Sequence, residues 1–235
     1  MALRRLRVLV AQECGIPLSE AVEIIRAQRV TVNGETGRTT TLVGEADEIC
    51  VDGKPIHNRI QYAYILFHKP RGIECTMNEG IADNLLTVFK YPQRLYPVGR
   101  LDKDSEGLLL MINDGKLYHH VAHADSRKEK EYYVEVHKPI DEKFLEAMRN
   151  GVEIMGRVTA PCDVFAVEEN PNAFRIILKQ GMNRQIRRMT YKLGFSVHKL
   201  VRTRVMNLEL GDLKAGEWRN LAEEELLLLR NFSAV

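Results

Sequence analysis

The strongest constraint on this chain is the way its apolar residues are broken up. Tyr62–Phe67 is an unbroken apolar run closed by Lys69-Pro70, and Gly107–Ile112 is another closed by Asn113-Asp114-Gly115. Runs this short, bounded by turn residues, predict buried strands. Tyr132–Val136 alternates as a half-buried strand does, and Phe174–Leu178, Ser196–Leu200 and Val205–Leu210 add further strands. Asp141 is placed to cap a helix reaching about Arg149 and ended by Gly151, and a second helix is expected from Arg184 to Leu193, with Gly194 after it. Strands outnumber helices and do not alternate regularly with them, which predicts an α+β fold with a mixed, largely antiparallel sheet. No apolar run approaches the roughly 20 residues that span a bilayer.

The first part of the chain has a different texture. Leu6, Leu9 and Val10 share a helical face that Gly15-Ile16-Pro17 interrupts, and Ser19 is an expected N-cap for a helix carrying Ala21, Val22, Ile24 and Ile25. Val30-Thr31-Val32 then runs into the hairpin signal Asn33-Gly34, and Glu48–Val51 into the turn Asp52-Gly53. Composition shifts in the polar, proline-containing stretch after Lys54, so a boundary is expected near residue 58, dividing residues 1–58 from 59–235.

At 235 residues the chain can bury one sizeable core plus a small module. Net charge is only +2, but it is unevenly spread. Met1–Asn58 carries seven Lys/Arg against eight Asp/Glu, whereas Arg175–Arg204 carries nine Lys/Arg and no acid. Such a block suits a polyanion-facing surface better than a merely solvated one. Cys14, Cys50, Cys75 and Cys162 form no C-x-x-C pair and have no histidine at ligand spacing, so neither zinc nor a disulfide framework is indicated. The basic start has no apolar segment or cleavage site after it, and a reducing, cytoplasmic setting is the expectation.

The densest polar stretch between apolar segments is Pro97-Val98-Gly99-Arg100-Leu101-Asp102-Lys103-Asp104-Ser105-Glu106-Gly107. Polar residues on a loop held by a strand are where sites usually sit, although spacing alone reads equally well as a surface loop. Its core, G-R-L-D-x-D-S-x-G-L, resembles the aspartate-bearing motif of RNA pseudouridine synthases. Glu129–Val134 resembles that family's second motif, and Gln180–Met189 its third. Leu200–Arg204 and Gly216–Arg219 follow in the expected order, so the resemblance spans about residues 62–222. It is nearest to the RluF-type, large-subunit branch of the ribosomal RNA synthases that carry an S4-like domain.

The resemblance implies an isomerase that breaks the N-glycosidic bond of a uridine, rotates the base and rejoins it through carbon, with no redox change, no group donor and no cofactor. It assigns catalytic roles to Asp102, Tyr132 and Arg187: a carboxylate at the sugar, acting as nucleophile or as base, an aromatic face for a flipped-out uridine, and the cation paired with the carboxylate. Arg100 is expected to enter the RNA where the base has left, and Leu200 to line the pocket. Arg184, Arg188, Lys192, Lys199, Arg202 and Arg204 are the candidates for phosphate contacts, of which about half should face RNA. The implied partner is structured RNA, 23S ribosomal RNA first, with tRNA or 16S ribosomal RNA as alternatives. No membrane and no metal are expected, and nothing demands more than a monomer.

Three departures from the family pattern stand out. The S4-like resemblance rests on Ile24–Gly34, yet Leu18–Glu23 lacks the family's arginines and the first helix lacks its lysine near Val8. This module is therefore expected to grip RNA weakly. His68 precedes Lys69-Pro70 where the family has asparagine, and is read as structural. A catalytically silent RNA-binding protein of the same fold is the competing reading, and a hydrolase using Asp102 with Asp104 is weaker still, because alternate residues of an extended segment point apart.

Overall fold

The computed structural model describes residues 3–56, 62–123 and 128–231. The expected boundary near residue 58 lies outside them. Contacts divide the chain into two units, Met1–Tyr62 with Tyr91–Leu95, and Ala63–Lys90 with Tyr96–Val235.

In the first unit β1 (Arg4–Arg5) leads into α1 (Leu6–Glu13), followed by α2 (Leu18–Arg26), β2 (Val30–Val32), β3 (Glu35–Thr36), β4 (Leu42–Val43), β5 (Ile49–Val51) and β6 (Lys54–Ile56). Leu6, Leu9 and Val10 are buried with Ala21, Ile25, Val30, Val43 and Ile49, so the helical faces read from spacing are the ones that pack. Four strands pair in the order β3-β2-β5-β6. Pro55, in the polar stretch where composition shifts, lies on the edge strand β6, where a missing donor is tolerated. Ser19 is not the cap. Pro17 occupies that position with no side-chain bond, and α2 begins two residues earlier than a Ser19 cap implies, at Leu18, because Pro17 already supplies a fixed φ for helix entry.

The second unit begins with β7 (Tyr64–Lys69), α3 (Leu85–Val88), β8 (Tyr96–Val98), β9 (Glu106–Ile112), α4 (Gly115–His123) and β10 (Lys130–Val136). It continues through α5 (Glu142–Asn150), β11 (Glu153–Ile154), β12 (Arg157–Val158), β13 (Asp163–Val167), β14 (Asn170–Leu178) and α6 (Gln185–Lys192). The last elements are β15 (Val197–Val205), β16 (Leu208–Glu209), β17 (Trp218–Asn220) and α7 (Glu223–Asn231). Its main sheet runs β13-β14-β10-β15-β9-β7-β17, with β16 on β15 and β8 on β9. The sheet is mixed: β15 and β9 pair in parallel, and the other pairings in it are antiparallel.

Asp141 caps α5 as expected, accepting from the Phe144 amide at 2.8 Å. The two strands expected at Ser196–Leu200 and Val205–Leu210 are instead one long strand, β15, folded back into β16 at Met206-Asn207. Neighbours Leu200 and Val201 belong to different apolar clusters, so the two clusters lie on opposite faces of β15. One holds α5 and α6 through Phe144, Met148, Ile186 and Met189; the other holds α4 and α7 through Leu117, Val121 and Leu229. In β7 and β9, Leu66, Leu108 and Leu110 join the second cluster while their neighbours Ile65, Phe67, Leu109 and Met111 are buried as well, so both faces of these strands are covered and Tyr64–Phe67 and Leu108–Ile112 are apolar at successive positions.

Candidate active site

The site forms where the outer edge of β9 changes neighbours. At Glu106 and Gly107 that edge pairs with Val201 and Arg202 of β15; from Leu110 to Ile112 it pairs with β8. The Leu108 carbonyl between the two stretches receives the Arg202 Nε at 2.8 Å. Gly107 is required for this crossing. Its φ is +114°, and a Cβ there would run into the Arg202 backbone. Val98, Leu108, Leu110, Tyr132, Leu200 and Arg202 line a cavity of about 1000 Å³.

The loop from Gly99 to Ser105 forms one rim of that cavity, entered through Gly99 at a φ of +75°. Its backbone carbonyls are taken up almost one by one. Arg202 Nη1 reaches the Arg100 carbonyl at 3.4 Å, and the Ser105 amide reaches Asp102 O at 3.0 Å. The Gly72 amide donates to Lys103 O at 2.8 Å, and Arg187 Nη2 to Asp104 O at 2.8 Å. Lys69 Nζ donates to Ser105 O and Pro70 O, each at 2.8 Å. A loop whose main chain is held at this many points has little freedom, yet among the described residues the Asp102 carboxylate has no hydrogen-bond or ion-pair partner. A carboxylate on a fixed backbone, facing a cavity and unclaimed by the protein, is available to a ligand.

Lys69 is completely buried, and burial lowers its pKa to about 8, against the opposing pull of Cys75, Glu74 and Glu106. Burial, followed by the repulsion of Arg184, also lowers the pKa of Arg187, while Asp104 and Asp102 oppose the shift.

The family model for RNA pseudouridylate synthase matches residues 63–192, a span that carries the loop, β10 and α6. The chain belongs to the RNA pseudouridylate synthase family. It is 42% identical over 210 residues to the dual-specificity RNA pseudouridine synthase RluF of Escherichia coli (strain K12), covering 88% of this chain and 72% of that one. It is 30% identical to the ribosomal large subunit pseudouridine synthase B of Bacillus subtilis (strain 168), covering 97% and 96% of the two chains. A solved pseudouridylate synthase superposes with a TM-score of 0.66 at 27% identity, covering 96% of this chain and 99% of the other.

The synthase therefore isomerises uridine in RNA, and its candidate residues can be placed against that reaction. Asp102, Tyr132, Arg187, Arg100, Arg184 and Leu200 line one cavity. Tyr132 packs on the α5–α6 side of the sheet, whereas Tyr133 turns to the other face and donates its hydroxyl to Glu135 at 2.9 Å. Leu200 is a buried cavity wall. The direct ion pair expected between Arg187 and Asp102 is not formed; Arg187 spends its strongest bond on the Asp104 carbonyl, and its buried Nε has no partner.

Two of the expected phosphate contacts need correction. Arg202 is only 5% exposed and holds the backbone of β9 and the loop. Arg204 is clamped by Glu129 at 3.1 Å and Glu131 at 3.2 Å, two acids carried on the neighbouring chain segment. Arg184, Arg188, Lys192 and Lys199 stay exposed. Of these, Arg184 makes a long 3.5 Å approach to Asp104, and Arg188 bonds the Asn183 carbonyl at 3.1 Å. His68 is structural as expected, its Nδ1 meeting the Leu213 carbonyl at 2.7 Å.

Sequence reasoning missed Lys69 and Lys130. In the sequence Lys69 is only the end of a strand, although a cation closing a buried run should prompt the question of which carbonyls receive it. Lys130 lines the cavity, its pKa lowered by burial and then by Arg202.

Proposed function

We propose that this synthase isomerises a specific uridine of 23S ribosomal RNA, with Asp102 acting at the sugar of a flipped-out nucleotide. The single observation that carries the reading is the partner-free Asp102 carboxylate on a main chain pinned from both sides. Tyr132 offers the aromatic face on which the extruded base rests, Leu200 the apolar wall, and Arg187 a cationic side chain lining the same cavity as the carboxylate. Arg100, exposed at the rim with its carbonyl anchored by Arg202, is the residue proposed to enter the space the base vacates.

The substrate assignment draws on relatives whose names specify RNA: a dual-specificity RNA pseudouridine synthase and a large-subunit one. A dual-specificity name leaves room for a second RNA, for which tRNA is the first alternative, and a small-subunit relative 31% identical to this chain supports small-subunit ribosomal RNA as the second. Residues 1–58 act, in this reading, as an S4-like RNA-binding module and residues 59–235 as the catalytic domain of a cytoplasmic monomer. Pseudouridine mapping by carbodiimide adducts and primer-extension stops on ribosomal RNA transcripts tests it. One or very few new stops are expected, all abolished in Asp102→Asn while RNA binding persists. No stop on 23S RNA would overturn the substrate, and stops surviving the substitution would overturn the role of Asp102.

A further inference from the structure

The helix that supplies Arg187 has an exposed face the reaction does not use. On α6, Gln185, Ile186, Met189 and Thr190 are buried, which turns Arg188 and Tyr191 outward at 100° per residue, while Arg187 reaches back to the loop of the cavity. Arg184, the N-cap residue, precedes Tyr191 by seven positions and so lies on nearly the same line along the helix. Tyr191 is 79% exposed, the most exposed of the large apolar side chains. Neither its ring nor its hydroxyl has a partner among the described residues, and the surrounding stretch Arg175–Arg204 contains no acid.

A bare aromatic ring one turn beyond Arg188 on an acid-free helix suits a nucleobase whose neighbouring phosphates meet cations. Proteins that hold single strands combine these two elements, and a stacked base is accepted whatever its identity. Seven residues of helix rise about 10 Å, or roughly three stacked nucleotides at 3.4 Å each. A strand leaving the cavity past Arg184 therefore reaches Tyr191 within a few nucleotides.

We infer that Tyr191 is a stacking platform for an unpaired base of the substrate RNA, a few nucleotides from the target uridine, with Arg184 and Arg188 holding phosphates of the strand between the cavity and that base. The inference rests on the proposed RNA reaction but concerns binding rather than chemistry. It assigns this synthase a preference for targets with a single-stranded flank.

The test compares wild type with Tyr191→Ala and Tyr191→Phe, using a single-stranded oligouridylate carrying one 2-aminopurine, and then the ribosomal RNA fragment in which wild type forms pseudouridine. Expected results are quenching of the probe by wild type and Tyr191→Phe, loss of that quenching in Tyr191→Ala, and a Kd raised about tenfold. On the natural fragment KM should rise by a similar factor with kcat unchanged. Equal Kd and equal quenching for wild type and Tyr191→Ala would overturn the platform. A fall in kcat at unchanged KM would overturn it equally, since stacking outside the cavity acts on binding alone. A wild type that quenches the probe yet isomerises no RNA would instead count against the proposed reaction.

Discussion

Lys69 shows how one buried residue can set the geometry of a loop far along the chain. Its amine bonds two carbonyls, and a neutral amine still has the two N–H donors those bonds need, though weaker ones than an ammonium offers, so burial shifts its titration rather than ejecting it. The folded pKa of about 8 lies below the ordinary 10.5. Between those values the unfolded chain binds more protons than the folded one, so the contribution of Lys69 to stability rises with pH across the window and is flat below it. Urea unfolding of wild type and Lys69→Met at pH 8 and pH 10 should reveal a gap that moves by about 1–3 kcal/mol in favour of wild type at the higher pH. An unchanged gap would mean the lysine is not depressed. The same variant should also weaken isomerisation, because Ser105 O loses its donor and the Asp102 turn loosens. Asp102 and Tyr132 are legible in the sequence because their motifs surround them. Lys69 is not, because its partners are set by the return of the chain.

At the scale of elements, the parallel contact between β9 and β15 is the decisive joint. It spans two residue pairs before β8 takes over, and Arg202 fills the gap with its guanidinium. Gly107→Ala places a methyl group against the Arg202 backbone at a φ that L-residues avoid, and is expected to cost about 3 kcal/mol or more in denaturant unfolding. It should also reduce activity in the surviving folded fraction, since the Arg100 carbonyl is tied to the same arginine. A variant as stable as wild type would show that the two strands can separate freely. The longer strands β7, β9, β10, β14 and β15 were readable from apolar runs and turn residues, whereas β8, β13 and β17 of the same sheet were not. The hairpin β15–β16, the edge strand β6 and the helices α4 and α7 were not, because their periodicity is short or interrupted and packing supplies the difference.

Across the whole molecule, charge is organised by what burial leaves outside. In sequence, the nine basic residues of Arg175–Arg204 read as a polyanion-facing stretch, with about half of six candidates expected to face RNA. In the fold two of those candidates, Arg202 and Arg204, point into backbone and acids, while Arg184, Arg188, Lys192 and Lys199 stay at the surface. The expected consequence is a selective salt dependence of RNA binding. Arg188→Ala and Lys192→Ala should each reduce the slope of log K against log salt by about 0.7–0.9 for every phosphate no longer neutralised. Arg204→Ala should leave the slope unchanged and lower Tm, because Glu129 and Glu131 lose their shorter ion pairs and keep only the longer ones to Lys179 and Arg175. A slope that responds to Arg204 and not to Arg188 would reverse the assignment. What the amino-acid sequence determined by itself was local: short strands, a glycine-bounded acidic loop, and three motifs in order. Those properties depend on neighbours in the chain. Which arginine is buried, which carbonyl Arg187 reaches, and why the Asp102 carboxylate is left unclaimed were decided only by the fold. Arg187 meets the Asp104 carbonyl across 83 positions and Arg202 the Leu108 carbonyl across 94, and no local pattern encodes such a meeting.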